Sequence, residues 1–309
     1  MENEKKLYDH FEISRIIGQP VDPRKPYPEL VEAVCDTDTA SADEYVYYFD
    51  VLAETDTVYV ITSTGEVTQA NVTPDTPAAL TFLDVASPEY YVKLTDLASA
   101  KERTLARKKL TINRALNAYE TYKVIALTDA AVPSGNKFTL ASGATRFTYE
   151  RLVTMIDSIT DYADNFFLLC GTTIDKDIKL WDWNDNKYTS LASALQDLNV
   201  TIVRQFGSVT IDGNPTTILD PTYCYLYGTS TAIGKPLIFV RKQLNDIEFL
   251  GGTVFTDGAE KPQRLVIVSP NPVHATSGTN RYLAVAVTGV EEFAAAVVNP
   301  YAIARFIRS

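Results

Sequence analysis

The chain is short of the residues that carry most enzyme chemistry. Its 309 residues include only two histidines, His10 and His274, and three cysteines, Cys35, Cys170 and Cys224. Three widely spaced cysteines give neither a disulfide framework nor a metal knuckle. A zinc site needs three or four compactly spaced His, Cys or acidic ligands, and no such set stands in the sequence. No Gly-x-Ser-x-Gly elbow accompanies His274 for a nucleophilic triad, and the polar stretch SPNPVHATSG around it predicts a solvated loop. No run reaches the roughly 18 to 20 apolar residues that cross a bilayer. The first residues, MENEKKLYDHF, lack the apolar centre of a secretory signal. These absences predict a soluble protein of a reducing cytoplasm, with no membrane association, no catalytic residue, no cofactor and no metal.

Two stretches imitate motifs and fall short. Gly228 to Lys235, GTSTAIGK, has five residues between its glycines instead of four, and Pro236 stands where a magnesium-binding Ser or Thr belongs. It reads as a turn between strands. Asp182, Asn184 and Asn186 resemble the start of a calcium loop, but Lys187 replaces the required glycine and Ser193 the closing glutamate. That stretch reads as a polar turn over Trp181 and Trp183.

Positive charge is also missing over a long window. From Pro26 to Val92 there is no Lys or Arg, while Glu29, Glu32, Asp36, Asp38, Asp43, Glu44, Asp50, Glu54, Asp56, Glu66, Asp75, Asp84 and Glu89 all lie there. A one-sign block signals disorder or an interaction surface. EYVYYFDVL and VYVITSTGEVTQANV are aromatic and β-branched and read as strands, with AALTFLDV and EYYVKL as shorter ones. The window predicts an extended hairpin with its turn near Ser63 to Glu66 or in NVTPDTP. It holds too few apolar residues for a core of its own and must lie against another surface. The overall net charge of -11 argues against a dedicated nucleic-acid binder, because such proteins draw their affinity from neutralising phosphates.

Glycine and proline are absent from Lys93 to Val132. Leu105, Ile112, Leu116 and Tyr119 recur there at helical spacing and predict one buried stripe. Ser99 with Glu102 has the spacing of a capping box, and Asp96 is a second candidate cap. The helix is expected to run from Leu97 to Leu127, roughly 45 Å at 1.5 Å per residue, with Pro133-Ser134-Gly135 ending it. Its first half carries Lys101, Arg103, Arg107, Lys108 and Lys109, an unfavourable placement for the helix dipole that an external partner would offset. Beyond it, helices and strands alternate. Thr148 caps TYERLVTMIDSITDYAD; NFFLLCG, NVTIVRQF, TYCYLYG, PLIFVRK and RLVIVS are strands; TIDKDIKLWDW and YTSLASALQDL are helical. The stretch RYLAVAVTGVEEFAAAVVNPYAIARFIRS reads as two strand-like runs broken near Thr288 to Glu291. The class is α+β with a mixed sheet, and 309 residues bury a sizeable core without staples.

A loose N-terminal arm, a projecting two-stranded loop, one long helix and a mixed domain, in that order, resemble the major capsid proteins of tailed bacteriophages, the Hong Kong 97 capsid fold. The local match is TGVEEFAAAVVNPYAIARF, Thr288 to Phe306, an acidic-then-apolar strand, a proline turn and an apolar run. The resemblance implies an N-terminal arm over 1–44, an extended E-loop over 45–92, and a peripheral domain with the spine helix over 93–147. An axial domain would follow over 148–309, with 266–290 returning to the peripheral domain. It implies a shell of hexamers and pentamers around packaged DNA, held without sequence-specific contacts. Portal and separate scaffolding proteins would be partners, the host bacterial cytoplasm the place of assembly, and the virion capsid the destination.

In that family the E-loop of one subunit lies across the peripheral domain of the next. The resemblance therefore implies an interface between Asp50, Glu54, Asp56 and Glu66 of one subunit and Lys101, Arg103, Arg107, Lys108 and Lys109 of its neighbour. Two other readings of the basic helix stay open: charges paired within their own chain, or a face turned inward to DNA. The isopeptide weld of some family members needs a loop lysine that is absent here, so noncovalent contacts or a cement protein would strengthen the shell. An encapsulin compartment is the alternative within the fold, and a soluble α/β enzyme or binding protein the alternative outside it.

Overall fold

The computed structural model describes residues 30–49, 78–140, 143–181, 191–204, 207–231, 234–244, 253–255, 263–268, 273–277 and 280–308; side chains of 97–103, 204, 253–255, 277 and 280 are outside that description. In chain order the first elements are helix α1 (Leu30–Val34), strands β1 (Cys35–Ala40), β2 (Val46–Phe49), β3 (Ala78–Thr81), β4 (Leu83–Ala86) and β5 (Tyr90–Lys93), and the long helix α2 (Leu94–Ala131). Then come β6 (Lys137–Thr139), α3 (Tyr149–Asp157), β7 (Asn165–Cys170), α4 (Thr172–Lys179), α5 (Leu191–Asp197) and β8 (Val200–Arg204). The remaining strands are β9 (Ser208–Ile211), β10 (Asn214–Thr217), β11 (Tyr223–Thr229), β12 (Leu237–Lys242), β13 (Thr253–Phe255), β14 (Arg264–Val268), β15 (Val273–Ser277), β16 (Asn280–Val297) and β17 (Ile303–Ile307).

β16 is the trunk of an eight-stranded sheet. Its 18 residues span roughly 60 Å at 3.3 Å per residue. Along one edge it pairs with β15, β14 and β12 in turn; along the other it pairs with β5 and β4. Thr288 to Glu291, expected to break this stretch, runs straight through. The glycine there serves a close approach rather than a turn. β14 pairs with Thr288, Gly289, Val290 and Glu291 on one side. On the other side Ser87 fills the gap between β4 and β5: its N–H donates to Gly289 O at 2.8 Å, and its Oγ accepts from Gly289 N at 2.9 Å. His274, expected in a loop, sits exposed on β15 opposite Leu283.

A second sheet runs β6-β17-β11-β7-β8, with parallel pairs at both ends and antiparallel pairs between. Period-two alternation sends its side chains into two separate cores. Phe166, Leu168, Cys170, Cys224, Leu226, Ala304 and Phe306 face α3 and α4, meeting Leu152, Met155, Ile174 and Ile178. Leu169, Tyr225, Tyr227 and Ile303 face the other way, onto the second half of α2, α1, β1 and β12. Thr148 caps α3 as expected, accepting from Arg151 N. Trp181 closes the first core by donating Nε1 to Phe147 O at 2.7 Å. Trp183 and the DWNDNK turn lie outside the described residues. The GTSTAIGK stretch begins as the end of β11, and Ser230 and Gly234 exchange two backbone hydrogen bonds; Ala232 and Ile233 lie outside the described residues. Its Lys235 donates to the carbonyls of Glu32 and Cys35 at the end of α1.

α2 is longer than its sequence signals suggest, 38 residues from Leu94, or about 57 Å. Neither Ser99 nor Asp96 caps it. β5 runs into the helix without a loop, so the last strand residue, Lys93, occupies the cap position with no side-chain cap bond. The buried stripe continues past Leu116 at steps of four through Glu120, Val124, Thr128 and Val132. Its first part, with Leu105, Ile112 and Leu116, lies on Val92, Val266 and Val287. Its second part lies on the five-stranded sheet, where Tyr227 donates to Thr128 Oγ1 at 3.2 Å.

The two backbones come together at Gly289. A Cβ built there would sit 2.1 Å from Ile112 Cγ2, and Ile112 is wholly buried. Gly289→Ala should cost roughly 1 to 3 kcal/mol by overpacking, read as a lowered denaturant midpoint. Ile112→Leu removes the offending branch at Cβ. In a double-mutant cycle the pair should therefore be more stable than the sum of the two single changes; strict additivity would mean that the clash lies elsewhere.

Candidate assembly surfaces and the joint between the cores

The candidate site of this chain is a set of surfaces and the framework that holds them. Glu120 stands where the stripe of α2 passes from one core to the other. It is 2% exposed and receives the fork of Arg241, Nε to Oε1 at 2.9 Å and Nη2 to Oε2 at 3.0 Å. Arg264 Nη2 lies 2.9 Å from the same Oε1, in ion-pair range though misaligned for a hydrogen bond. Arg264 also donates Nε to Glu291 Oε2 at 2.5 Å and Nη1 to Asn117 Oδ1 at 2.5 Å. The result is a buried set of two carboxylates and two guanidiniums drawn from α2, β12, β14 and β16.

Formal neutrality lets this set stay buried; removing one member would strand a charge. The balance is not even across it. Among the described residues Glu291 Oε1 has no hydrogen-bond partner. Burial, reinforced by the nearby Glu120 charge, outweighs the pull of Arg264 and pushes the Glu291 carboxyl up to about 7. Sequence reading missed this set, although two signals were present. Glu120 continues the Ile112, Leu116 spacing into the core, and Glu291 falls in period-two register with the buried Val287 and Phe293 on β16.

A second charge lies on the opposite face of the same sheet. Lys242 is buried, pairs with Glu292 at 2.9 Å, and places its ammonium 5.2 Å from the Tyr45 ring centre and 5.5 Å from that of Phe82. Tyr45 and Phe82 flank β2 and β3, which pair antiparallel from Val46↔Thr81 to Phe49↔Ala78. So the root of the acidic segment is a two-stranded ribbon tied to the trunk sheet by a desolvated cation between rings. Tyr48, on that ribbon, is 65% exposed. The expected turns at Ser63 to Glu66 and NVTPDTP lie outside the described residues.

The residues singled out from sequence are distributed as follows. Lys101, Arg103, Arg107, Lys108 and Lys109 all lie on α2. The side chains of Lys101 and Arg103 are outside the description; Arg107 is exposed, and Lys108 and Lys109 are half-buried. Lys108 is engaged within its own chain, its Nζ 5.1 Å from the Tyr90 ring centre. Asp50, Glu54, Asp56 and Glu66 lie outside the described residues. Basic and acidic partners are thus not seen together.

Among the described residues there is no cluster of His, Cys, Asp or Glu fit to hold a metal. No described helix is long and apolar enough to cross a membrane. A cleft lined by Asn165, Gln196, Asn199, Thr201 and Thr229 with apolar neighbours has no titratable side chain on its walls.

The raised carboxyl of Glu291 has a stability consequence. Between its ordinary value of 4.5 and about 7 the folded chain keeps a proton that the unfolded chain has released. The contribution of this group to stability therefore falls as pH rises through that window. Glu291→Gln removes the titration. Plotted from pH 4 to 8, the difference in urea midpoint between Glu291→Gln and the parent should shift toward the variant as pH rises. A difference independent of pH would mean that folding does not shift the Glu291 carboxyl.

No protein-family model matches the sequence, and no curated protein matches it significantly. Solved structures do. A chain of Microbacterium phage Oxtober96 superposes with a TM-score of 0.61 at 13% identity, covering 94% of each chain. The capsid structure of the cyanophage P-SCSP1u gives 0.55 at 12% identity, covering 94% of this chain and 91% of that one. A virus-like particle from Pyrococcus furiosus gives 0.50 at 13% identity, over 91% and 92%. These likenesses cover more than nine-tenths of both chains in each case. The chain has the Hong Kong 97-type capsid fold.

Proposed function

We propose that the chain is the structural subunit of a self-assembling icosahedral shell, the head of a tailed bacteriophage that encloses packaged DNA. The observation that carries this reading is the near-complete two-way coverage by phage chains at TM-scores of 0.55 and 0.61. In this reading 1–44 is the arm, 45–92 the E-loop, 93–147 the peripheral domain with its spine, and 148–309 the axial domain with 266–290 returning. Pairing of β4 and β5 with β16 makes the end of the loop segment its return into the sheet. The projecting part is then rooted at β2 and β3. Portal, scaffolding and cement proteins would be separate partners, and assembly would take place in the host cytoplasm. The virus-like particle among the structural neighbours supports a second reading, an encapsulin-like compartment filled with protein rather than genome.

The shell subunit acts by contact rather than by chemistry. Each copy offers an acidic projecting loop and a basic helix, and a head-to-tail contact between them closes into rings. Acidic Asp50, Glu54, Asp56 and Glu66 of one copy would face Arg107 and its basic neighbours on the next. Exposed pairs are worth only about 0.2 to 1 kcal/mol each, but a shell repeats the contact in every subunit.

Sedimentation of the purified chain should give megadalton shells, rings or capsomers; a compact monomer at every concentration would overturn the proposal. The ratio of nucleic acid to protein in particles from infected or lysogenic cells separates the two shell readings. Arg107→Glu, chosen because Arg107 is exposed whereas Lys108 stacks on Tyr90, should weaken assembly and leave the melting of the subunit nearly unchanged. Glu54→Lys with Asp56→Lys should restore part of that loss. Blocked assembly with no restoration would mean that the two surfaces do not meet.

A further inference from the structure

We propose that Cys170 and Cys224 form a redox-closable pair: the centre of the five-stranded sheet holds them in direct opposition, and a small disulfide oxidant converts them into a cross-strand bridge. They are partners in the antiparallel register of β7 and β11. Gly171 N donates to Tyr223 O at 3.0 Å, a bond that falls just outside the cysteine pair. That places Cys170 and Cys224 at a non-hydrogen-bonded position. Opposed Cα atoms there are about 4.5 Å apart, inside the range of roughly 4.4 to 6.8 Å that a disulfide spans. Both side chains enter the same core, so they share a face of the sheet.

The thiols are not joined. Cys170 Sγ leans toward β8, where it donates to Val203 O at 3.8 Å. The Cys224 sulfur is turned toward the backbone N–H of Phe306 on β17. A rotation about each Cα–Cβ bond turns the sulfurs toward each other without moving the backbone. Cys35 is not a competitor, because it belongs to the core on the other face of the sheet. Burial pushes the Cys224 thiol well above its ordinary value and shuts reagents out. Closure therefore takes place while the sheet is forming or locally open.

The chemistry balances as two exchanges. One protein thiolate attacks the small disulfide, breaking its S–S bond and expelling one small thiolate. The second protein thiolate attacks the mixed disulfide so formed, expelling the other. The Cys170–Cys224 bond replaces the S–S bond of the oxidant. Two electrons pass from the protein to the oxidant, and the two protons end on the released small thiols.

The test is refolding of the full, reduced chain in a glutathione redox buffer. Thiols are then counted in the soluble product after denaturation, and its disulfides mapped by proteolysis and mass spectrometry. The expected product keeps one free thiol, at Cys35, and yields a single bridged peptide pair containing Cys170 and Cys224. Cys35→Ser should give a product with no free thiol, and Cys170→Ser one with no internal bridge. Adding a reductant should lower the denaturant midpoint of the bridged parent to that of the reduced chain. If refolding yields no soluble protein, the same count and map are made on chain expressed folded in an oxidising cytoplasm. A folded product that retains all three thiols, or whose bridges include Cys35, overturns the proposal.

Discussion

Where α2 crosses β16, helix and strand approach so closely that Gly289 has no room for a Cβ beside the Ile112 side chain. That contact sets the distance between the long helix and the long strand. Both elements extend beyond either core, so the contact also sets how the two halves of the molecule are joined. A helix on a sheet normally rides on a layer of side chains about 10 Å thick. Here the layer thins to one isoleucine against bare backbone, and Ser87 satisfies the peptide that the missing ladder partner leaves open. Apolar packing continues from this point in both directions, toward Val266 and Val287 on one side and toward Tyr225 and Tyr227 on the other.

The four charges at the joint belong to the same design problem. A helix that leaves one core for another must cross the boundary between them, and a gap there would admit water. Glu120, Arg241, Arg264 and Glu291 fill it with groups whose geometry is directional. Well-packed apolar side chains of similar volume are often as stable or more so. What the charged set adds is register: the Arg241 fork fits Glu120 in one arrangement, which ties α2 to β12 and β14 at one position along its axis. The unpartnered oxygen of Glu291 shows that this arrangement is not one of lowest local cost.

Much of this was legible in the residues. The apolar stripe of α2, the cap at Thr148, the strands β7 and β11 and the class of the fold follow from residue pattern alone, whereas the last stretch divides before Ile303 and not near Thr288. The order of elements led to the capsid fold before any coordinates. Three features were not legible, each for a physical reason. Gly289 looks like a breaker because sequence cannot distinguish a glycine needed for a turn from one needed for a close approach. The start of α2 was misplaced because capping rules assume a loop before the helix, and here a strand runs directly into it. Glu120 and Glu291 do not stand out as a set because their guanidinium partners are distant in sequence: Arg241 is 121 residues from Glu120. The basic stretch was seen, but Lys108 proved to be engaged with Tyr90, which narrows the candidate contact toward Arg107.

The position of the trunk strand along the chain governs when the molecule can fold. β16 and β17 occupy residues 280–307, yet β4, β5, β12 and β14 pair with the first and β6 and β11 with the second. During synthesis the earlier strands leave the ribosome with no trunk to pair on, and their edges stay open until some two hundred further residues have followed β4 and β5. Long-range pairing of this kind is slow, and open strand edges are prone to aggregate. Closure of both sheets by one late segment leaves a nascent chain unable to fold until that segment has been made. It also means that a chain with both sheets closed has already been translated through Ile307.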